Sequence, residues 1–325
     1  MTLGNRLKST TARFGRAALG AAMGIGLTVA LLAAAPDAFA QEAAAAPAAP
    51  RAVLPAEGQG PALWSISDAD STIYLFGTVH VLRPETAWGS AKVDAAFDRA
   101  SSVILEISNP DDQAAIVPII QRYGVSPDRP LSSLLTPEEL AHLDTAAQAI
   151  GGSAAQFDPL RPWLVALSLS VAPLVKAGYD PQSGVELILK SRAEAAGKPV
   201  TGLETIDKQV GILAGLSEET QLAFLRATLE AYDDATTELD ALVAAWATGD
   251  VEAINRLGVI EMRETSEEVY QALLVQRNTD WATQIQTLLA GSGIAFIAVG
   301  SAHLAGDDSV QSVLEDRGVT VVREE

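Results

Sequence analysis

The chain has 325 residues, with 22 basic and 41 acidic side chains, a formal net charge of −19 and no cysteine. Lack of cysteine removes disulfide staples, thiolate metal sites and cysteine nucleophiles, so burial has to hold the fold. The acidic balance repels nucleic-acid phosphates and anionic lipid, and it argues against both as partners.

Residues 1–40 read as a secretory signal peptide. Arg6, Lys8, Arg13 and Arg16 form a basic n-region, Ala17 to Ala35 an apolar stretch, and Ala38-Phe39-Ala40 the small-residue cleavage signal ahead of Gln41. This places the mature chain in the periplasm or outside the cell, with no stable membrane insertion. The apolar stretch approaches spanning length, so an uncleaved anchor is the competing reading. No cysteine follows it, which excludes a lipoprotein anchor. Cleavage takes away four basic side chains and one acidic one, leaving 18 against 40 and a net charge of −22. A solubilising surface accounts for that charge; a preference for cationic peptides is the functional alternative. Residues 41–61, rich in Ala, Pro and Gly, read as a flexible linker. The folded domain spans 62–325.

Leu63-Trp64-Ser65-Ile66 and Thr72-Ile73-Tyr74-Leu75-Phe76 flank the polar turn Asp68-Ala69-Asp70 and predict a β-hairpin. A helix follows from about Ser90, then the strand Val103–Ile107. From about 110 to 290 the pattern is mostly helical. Thr136-Pro137-Glu138-Glu139 is a capping box that opens one of these helices. Others are expected at 161–176, 183–196, 217–232, 237–247 and 278–289, the last with Asn278 as its N-cap. One strand, 199–203, interrupts them and ends at Glu204. The chain closes with a strand at 294–299, a helix at 309–316 and a strand at 319–322.

Only three histidines occur, and two of them share a setting. Gly77-Thr78-Val79-His80 follows the apolar run from Ile73; Gly300-Ser301-Ala302-His303 follows the run from Ile294. Each Gly-x-x-His lies between a buried strand and a short helix that leads to another strand. The pattern is that of one β–loop–α–β unit used twice in an α/β fold with a mixed sheet, separated by a large helical insertion. Carboxyl ends of neighbouring strands line the crevice where α/β sheets bind ligands. Two imidazoles and Glu106, at the end of its own strand, suit a divalent metal with open positions. The plainer alternative is a loop imidazole hydrogen-bonded to backbone. His142, beside an apolar helix stripe, reads as a surface residue. Glu204 is either a site carboxylate or a helix N-terminal acid, and Glu186 is explained by the helix dipole alone. Arg277 is either solvated or holds a substrate carboxylate or oxyanion.

In combination, "STIYLFGTVHVL", "VILEI", "GKPVTGLETIDKQ", "QRNTDWA" and "FIAVGSAHLAGDDSV" resemble the TraB/GumN family, whose superfamily includes the Tiki proteins of animals. The resemblance implies an α/β fold with paired Gly-x-x-His motifs and, from Tiki, a divalent-metal-dependent peptidase. Matching motifs carry this to His80, Glu106, His303, Glu204 and the Arg277-Asn278 pair. The family commonly has Asp where this chain has Glu186. The expectation is therefore an exported metal-dependent hydrolase acting on a peptide or protein. His80, Glu106 and His303 would hold a divalent ion of the Mn, Co or Zn class. Glu204 or Glu186 would act as base, Arg277 as oxyanion or substrate anchor, and Asn278 would orient it. The alternative is a non-catalytic binder that sequesters a peptide or haem in the same cleft. As loop residues past strand ends, the proposed ligands are expected to add little to the core.

Overall fold

A computed structural model describes residues 53–325; the expected leader and residues 41–52 lie outside the described residues. The strands are β1 (Leu54–Pro55), β2 (Leu63–Ser67), β3 (Ser71–Thr78), β4 (Ala87–Gly89), β5 (Ser102–Ile107), β6 (Val200–Glu204), β7 (Gly293–Gly300) and β8 (Val322–Glu324). Six of them form a mixed sheet in the order β6-β5-β7-β3-β2-β8, and β1 pairs with β4 as a parallel ribbon. The fold is thus α/β with a mixed sheet, as the sequence predicts.

The helices are α1 (Ala91–Arg99), α2 (Gln113–Tyr123), α3 (Pro137–Ala149), α4 (Pro162–Lys176), α5 (Val185–Ala195), α6 (Ile206–Gly215), α7 (Glu218–Glu230), α8 (Ala235–Ala247), α9 (Val251–Ile254), α10 (Glu261–Thr265), α11 (Glu267–Tyr270), α12 (Gln276–Leu289) and α13 (Val310–Asp316). The capping box at Thr136 forms, with both reciprocal hydrogen bonds present.

Period-two alternation sorts the strands' side chains between two cores. Tyr74, Phe76, Leu105, Phe296 and Ala298 face one, with Phe97 of α1, Trp163 of α4 and Trp246 of α8. Ile73, Leu75, Ile104, Ile297 and Val299 face the other, with Trp281 and Ile285 of α12 and Leu314 of α13. Burying each of these large side chains is worth about 1.5–3 kcal/mol. Glu106 follows the parity of Ile104, which directs it toward α12.

The two Gly-x-x-His strands are immediate neighbours. β3 and β7 run parallel and stay in register from Ser71↔Gly293 to Thr78↔Gly300. β5 pairs with β7 on its other side, and β6 with β5, also parallel. Four carboxyl ends therefore meet at one edge. Gly77 permits this closeness, because a Cβ there would lie 3.1 Å from Cα and Cβ of Ser301. The carbonyl of Gly77 accepts the indole N–H of buried Trp246 at 2.8 Å.

Three expectations are corrected. The last strand is displaced from 319–322 to Val322–Glu324, where it pairs antiparallel with β2. Val319 and Val321 pack partly buried against the second core instead. The register is fixed by Ser65 donating to Glu324 at 2.5 Å and Arg323 donating to the Gly249 carbonyl at 2.6 Å. The end of the expected linker is laid on the fold: the amide of Ala56 donates to Gly89 at 2.8 Å, and Ser90 donates to Gln59 at 3.0 Å. Finally, Asn278 is not an N-cap. α11 runs through a π-helical turn, Gln271–Val275, straight into α12, so Asn278 is an interior residue.

Candidate functional site

The carboxyl edge of the sheet holds a buried polar network. Arg277, on the first turn of α12, reaches across it. Its Nε donates to both oxygens of Glu204 at 3.1 Å, and its Nη2 donates to Glu106 Oε2 at 2.7 Å. Its Nη1 donates to the Leu273 carbonyl at 3.2 Å and meets His303 Nε2 at 3.0 Å. Trp281, one turn further on, places its ring under the guanidinium at 4.6 Å and donates its indole N–H to Glu204 at 3.0 Å. The same ring lies 4.3 Å from the His303 imidazole.

His303 has its tautomer set by these neighbours. The Asn278 amide donates to the Asp308 carbonyl at 2.7 Å, so its oxygen faces His303 Nδ1 at 2.6 Å. Nδ1 is therefore the donor, and Nε2 is the acceptor of the Arg277 N–H. Glu106 is held as firmly. Gly300 N–H donates to its Oε1 at 2.7 Å, and Gln209 donates to Oε2 at 2.8 Å. Burial favours the protonated acid, but the Arg277 charge, with the neighbouring imidazoles and Gly300 N–H, outweighs it and brings the Glu106 carboxyl down to about 2. Burial also disfavours the Arg277 charge, and Glu106 and Glu204 more than offset that.

His80 is presented in a matching way. Its Nδ1 lies 2.9 Å from Glu186 Oε1, in the first turn of α5. The carboxylate accepts the Nδ1 proton and leaves Nε2 facing inward. Burial would lower the His80 pKa; Glu186, with help from Glu106, raises it. Gly184 lets this helix start approach the loop, since a Cβ there would meet the His80 carbonyl at 2.5 Å. His80 Nε2, Glu186 Oε2 and Thr78 Oγ1 are buried without a hydrogen-bond partner. All three residues line one cavity with Glu106. Its volume of about 10 Å³ has room for about one water-sized body. The side chains of His80 and Glu186 keep 8% and 11% of their surface in solvent, against 0% for His303 and Glu204 and 2% for Arg277. Among these side chains, those of His80 and Glu186 keep the most surface in solvent.

The structure brings together His80, Glu106, Glu186, Glu204, Arg277, Asn278 and His303, and leaves His142 exposed on α3. Their arrangement differs from the expected one in three respects. Arg277 lies between Glu106 and His303, where a shared ion was expected. Glu204 has both carboxylate oxygens engaged, by Arg277 Nε and by the Trp281 indole. The proposed ligands are integral to the core rather than loop decoration: His303 is completely buried and Glu106 nearly so.

Four contributors were missed. Gln209, Trp281 and Asp308 act through single hydrogen bonds that only tertiary proximity reveals. Thr78 was visible inside the Gly-x-x-His phrase, but its hydroxyl had no assigned partner.

Among the described residues, no three His, Asp or Glu side chains converge as a ready ligand set. His80 is the remaining candidate ligand, with its buried Nε2 uncommitted. His80 and Glu186, each with one buried atom that has no hydrogen-bond partner, line a small cavity with Glu106, whose carboxylate is held ionised. His303 does not fit as a ligand in this arrangement, because its one acceptor lone pair is engaged by Arg277.

The TraB/PrgY/gumN family profile matches residues 62–323. The chain belongs to the TraB/PrgY/gumN family. The match begins at the strand before the first Gly-x-x-His and ends within β8, so it takes in every site residue named above. Curated relatives include the following two. An "Uncharacterized protein" of Treponema pallidum is 22% identical over 78% of this chain and 80% of its own. The "Uncharacterized protein YbaP" of Escherichia coli is 25% identical over 74% of this chain and 87% of its own. No solved structure matches.

Proposed function

We propose that this TraB/PrgY/gumN protein is an exported metal-dependent hydrolase that cleaves peptide bonds. The observation that carries the reading is the cavity where His80 Nε2, Glu186 Oε2 and Thr78 Oγ1 lie buried without partners beside Glu106. Leaving such groups unsatisfied costs about 1–3 kcal/mol each, so a site that keeps three of them is built for an occupant.

His80 through Nε2 would hold a divalent ion of the Mn, Co or Zn class, with Glu106 lining the same cavity and Glu186 orienting the ring from behind. Such an ion, when bound, lowers the pKa of a water and polarises a carbonyl. The chain's own residues prepare the place. Glu186 fixes the His80 ring by taking the Nδ1 proton, the carboxylate–imidazole arrangement that orients metal-binding histidines. Glu106 stays ionised across the physiological range because Arg277 and Gly300 N–H hold it so. Thr78 offers a hydroxyl to a bound water or to the substrate carbonyl. A peptide would approach from the side where His80 and Glu186 keep some surface in solvent, whereas a haem would need the small cavity to open.

The test is metal content and peptide turnover of the mature chain before and after chelation. The expected outcome is about one divalent ion per chain and turnover that is lost to chelator and restored by added Mn²⁺ or Co²⁺. A chain that carries no ion and shows the same turnover in chelator would sink the proposal. The N-terminal leader on which export rests is tested by the intact mass of the periplasmic fraction, expected to begin at Gln41.

A further inference from the structure

We infer that Asp240, an exposed carboxylate of α8, is a positioning residue of the candidate site: it fastens the two loops that present His80 and Glu186 and so keeps their cavity closed. The inference rests on the hydrolase reading for its meaning, but its test needs neither metal nor turnover.

Each member of the pair is delivered by a loop. Residues 79–86 join β3 to β4 and carry His80; residues 177–184 join α4 to α5 and lead into the helix start that carries Glu186. Backbone bonds tie the two loops together. Asp180 N–H donates to the Leu82 carbonyl at 2.9 Å, and Val185 N–H to the Val79 carbonyl at 3.1 Å. With the contact between His80 and Glu186 they make one connected flap beside the cavity.

Both loops reach the same carboxylate. Arg83, three residues after His80, donates from Nη1 to Asp240 Oδ1 and from Nη2 to Oδ2, the second at 3.3 Å. Tyr179, from the other loop, donates its hydroxyl to Asp240 Oδ1 at 2.6 Å. The Arg83 guanidinium also lies over the Tyr179 ring at 4.3 Å. A two-point guanidinium–carboxylate pair fixes direction as well as charge. Asp240 is interior to α8 and lies 157 positions beyond Arg83 and 61 beyond Tyr179, so the contact is not a helix cap. The same helix holds the root of the His80 loop through Trp246, whose indole donates to the Gly77 carbonyl.

The other half of the site is secured in the same way. Tyr270 donates to Asp308 Oδ2 at 2.5 Å, with Arg263 over its ring at 5.3 Å. The Asp308 carbonyl pins Asn278, which turns His303. In each half a Tyr–Asp bond beside an arginine supports the partner that orients the imidazole.

Closure has a consequence for access. A cavity of about 10 Å³ takes about one water-sized body, so a peptide meets His80 Nε2 only after the flap lifts. The Asp240 attachment is the one that yields at least cost, because an ion pair partly open to solvent is worth little against water.

The experiment uses the metal-free mature chain, with its three histidines as reporters. Diethyl pyrocarbonate acylates accessible imidazoles, and mass spectrometry reads each site separately. In wild type His142 should react fast, His80 slowly and His303 not at all. Asp240→Ala should raise the His80 rate by about 5–30-fold, and Asp240→Asn, which keeps the size but loses the charge, by a smaller factor. His142 and His303 should not change. Adding Arg83→Gln to Asp240→Ala should add little, because the two residues act through one contact. Co²⁺ affinity should fall in the same order. A wild type that takes up no Co²⁺ sinks the hydrolase reading and leaves the reactivity of His80 to decide this one.

His80 reactivity unmoved in both Asp240 variants would overturn the inference. So would a matching rise at His303, which would mark Asp240 as an ordinary stabilising contact. Should Asp240→Ala fail to fold, the isosteric Asp240→Asn decides by the same two outcomes.

Discussion

His80 and Glu186, 106 positions apart, meet at 2.9 Å through Nδ1 and Oε1. His303 and Asn278 repeat the arrangement at 2.6 Å on the other half of the site. In each pair a side-chain oxygen takes the Nδ1 proton and turns Nε2 toward the sheet edge. The halves differ in what Nε2 finds there: an Arg277 N–H for His303, and a small cavity for His80.

Glu186→Gln should therefore weaken divalent-ion binding by at least about 10–100-fold while the fold survives. The amide keeps the size of the side chain but loses the charge and the firm grip on the His80 ring. Titration of the purified chain with Mn²⁺ or Co²⁺ at fixed pH measures this. His142→Ala, on the exposed face of α3, serves as the control and should change nothing.

Ion binding should strengthen with rising pH. His80 is held above its ordinary pKa of 6.5 by Glu186 against the opposing effect of burial, and an ion must displace its second proton. The affinity should climb as pH passes through that raised value and level off above it. The stabilisation from the imidazolium–Glu186 pair has the opposite trend: fully present below 6.5, it is lost as pH rises through the folded-state value. Metal titrations and melting curves between pH 5.5 and about 9 should show the two trends crossing.

Acid should unfold the protein partly through Glu106. Its carboxyl lies at about 2 in the fold against an ordinary 4.5. The stability it contributes is complete above 4.5 and is lost as pH falls toward 2, up to about 3 kcal/mol in all. Glu106→Gln should lower stability at neutral pH and flatten the decline between pH 4.5 and 2. Denaturant unfolding at a series of pH values reads both effects. A decline as steep as that of wild type would show that other carboxylates control acid unfolding.

Gly184→Ala should damage the site more than the fold. Its added methyl would sit 2.5 Å from the His80 carbonyl, so either α5 or the loop must retreat. Overpacking of this kind costs about 1–3 kcal/mol. Loss of ion affinity should exceed that of Glu186→Gln, because the His80 ring and its partner are displaced together. Gly77→Ala, with 3.1 Å contacts to Ser301, should lower the melting temperature by separating the two loops. A crystal structure of Gly184→Ala with His80 unmoved would refute the argument.

Trp281→Phe isolates a single hydrogen bond. It keeps the ring beneath Arg277 and His303 but withdraws the indole donor from buried Glu204. A loss of about 1–3 kcal/mol in urea unfolding is expected, because the acceptor is left short of a partner in a site closed to water.

Much of this was legible in the sequence because it depends on local pattern. Alternation and turn residues reveal the hairpin from Leu63 to Phe76. The capping box at Thr136 announces α3, and the repeated Gly-x-x-His after apolar runs points to paired strand ends. Composition alone removes thiolate chemistry. The histidines, glutamates and arginine that meet at the edge were all recognisable as candidates, since rare residue types at strand ends stand out against an apolar background. Their roles were not. Whether Glu186 serves as base or as support for His80, and whether His303 faces an ion or Arg277, depends on distances between residues up to 197 positions apart in the chain, as Glu106 and His303 are. The same holds for Asn278: as a short polar residue ahead of an apolar stripe it reads as an N-cap, yet a π-helical turn carries the helix through it and frees its amide for His303. Sequence determines which groups are available and which elements carry them. Tertiary structure decides which lone pairs are already taken, because a hydrogen bond saturates the atom that makes it, and only the folded chain brings its partner within 3 Å.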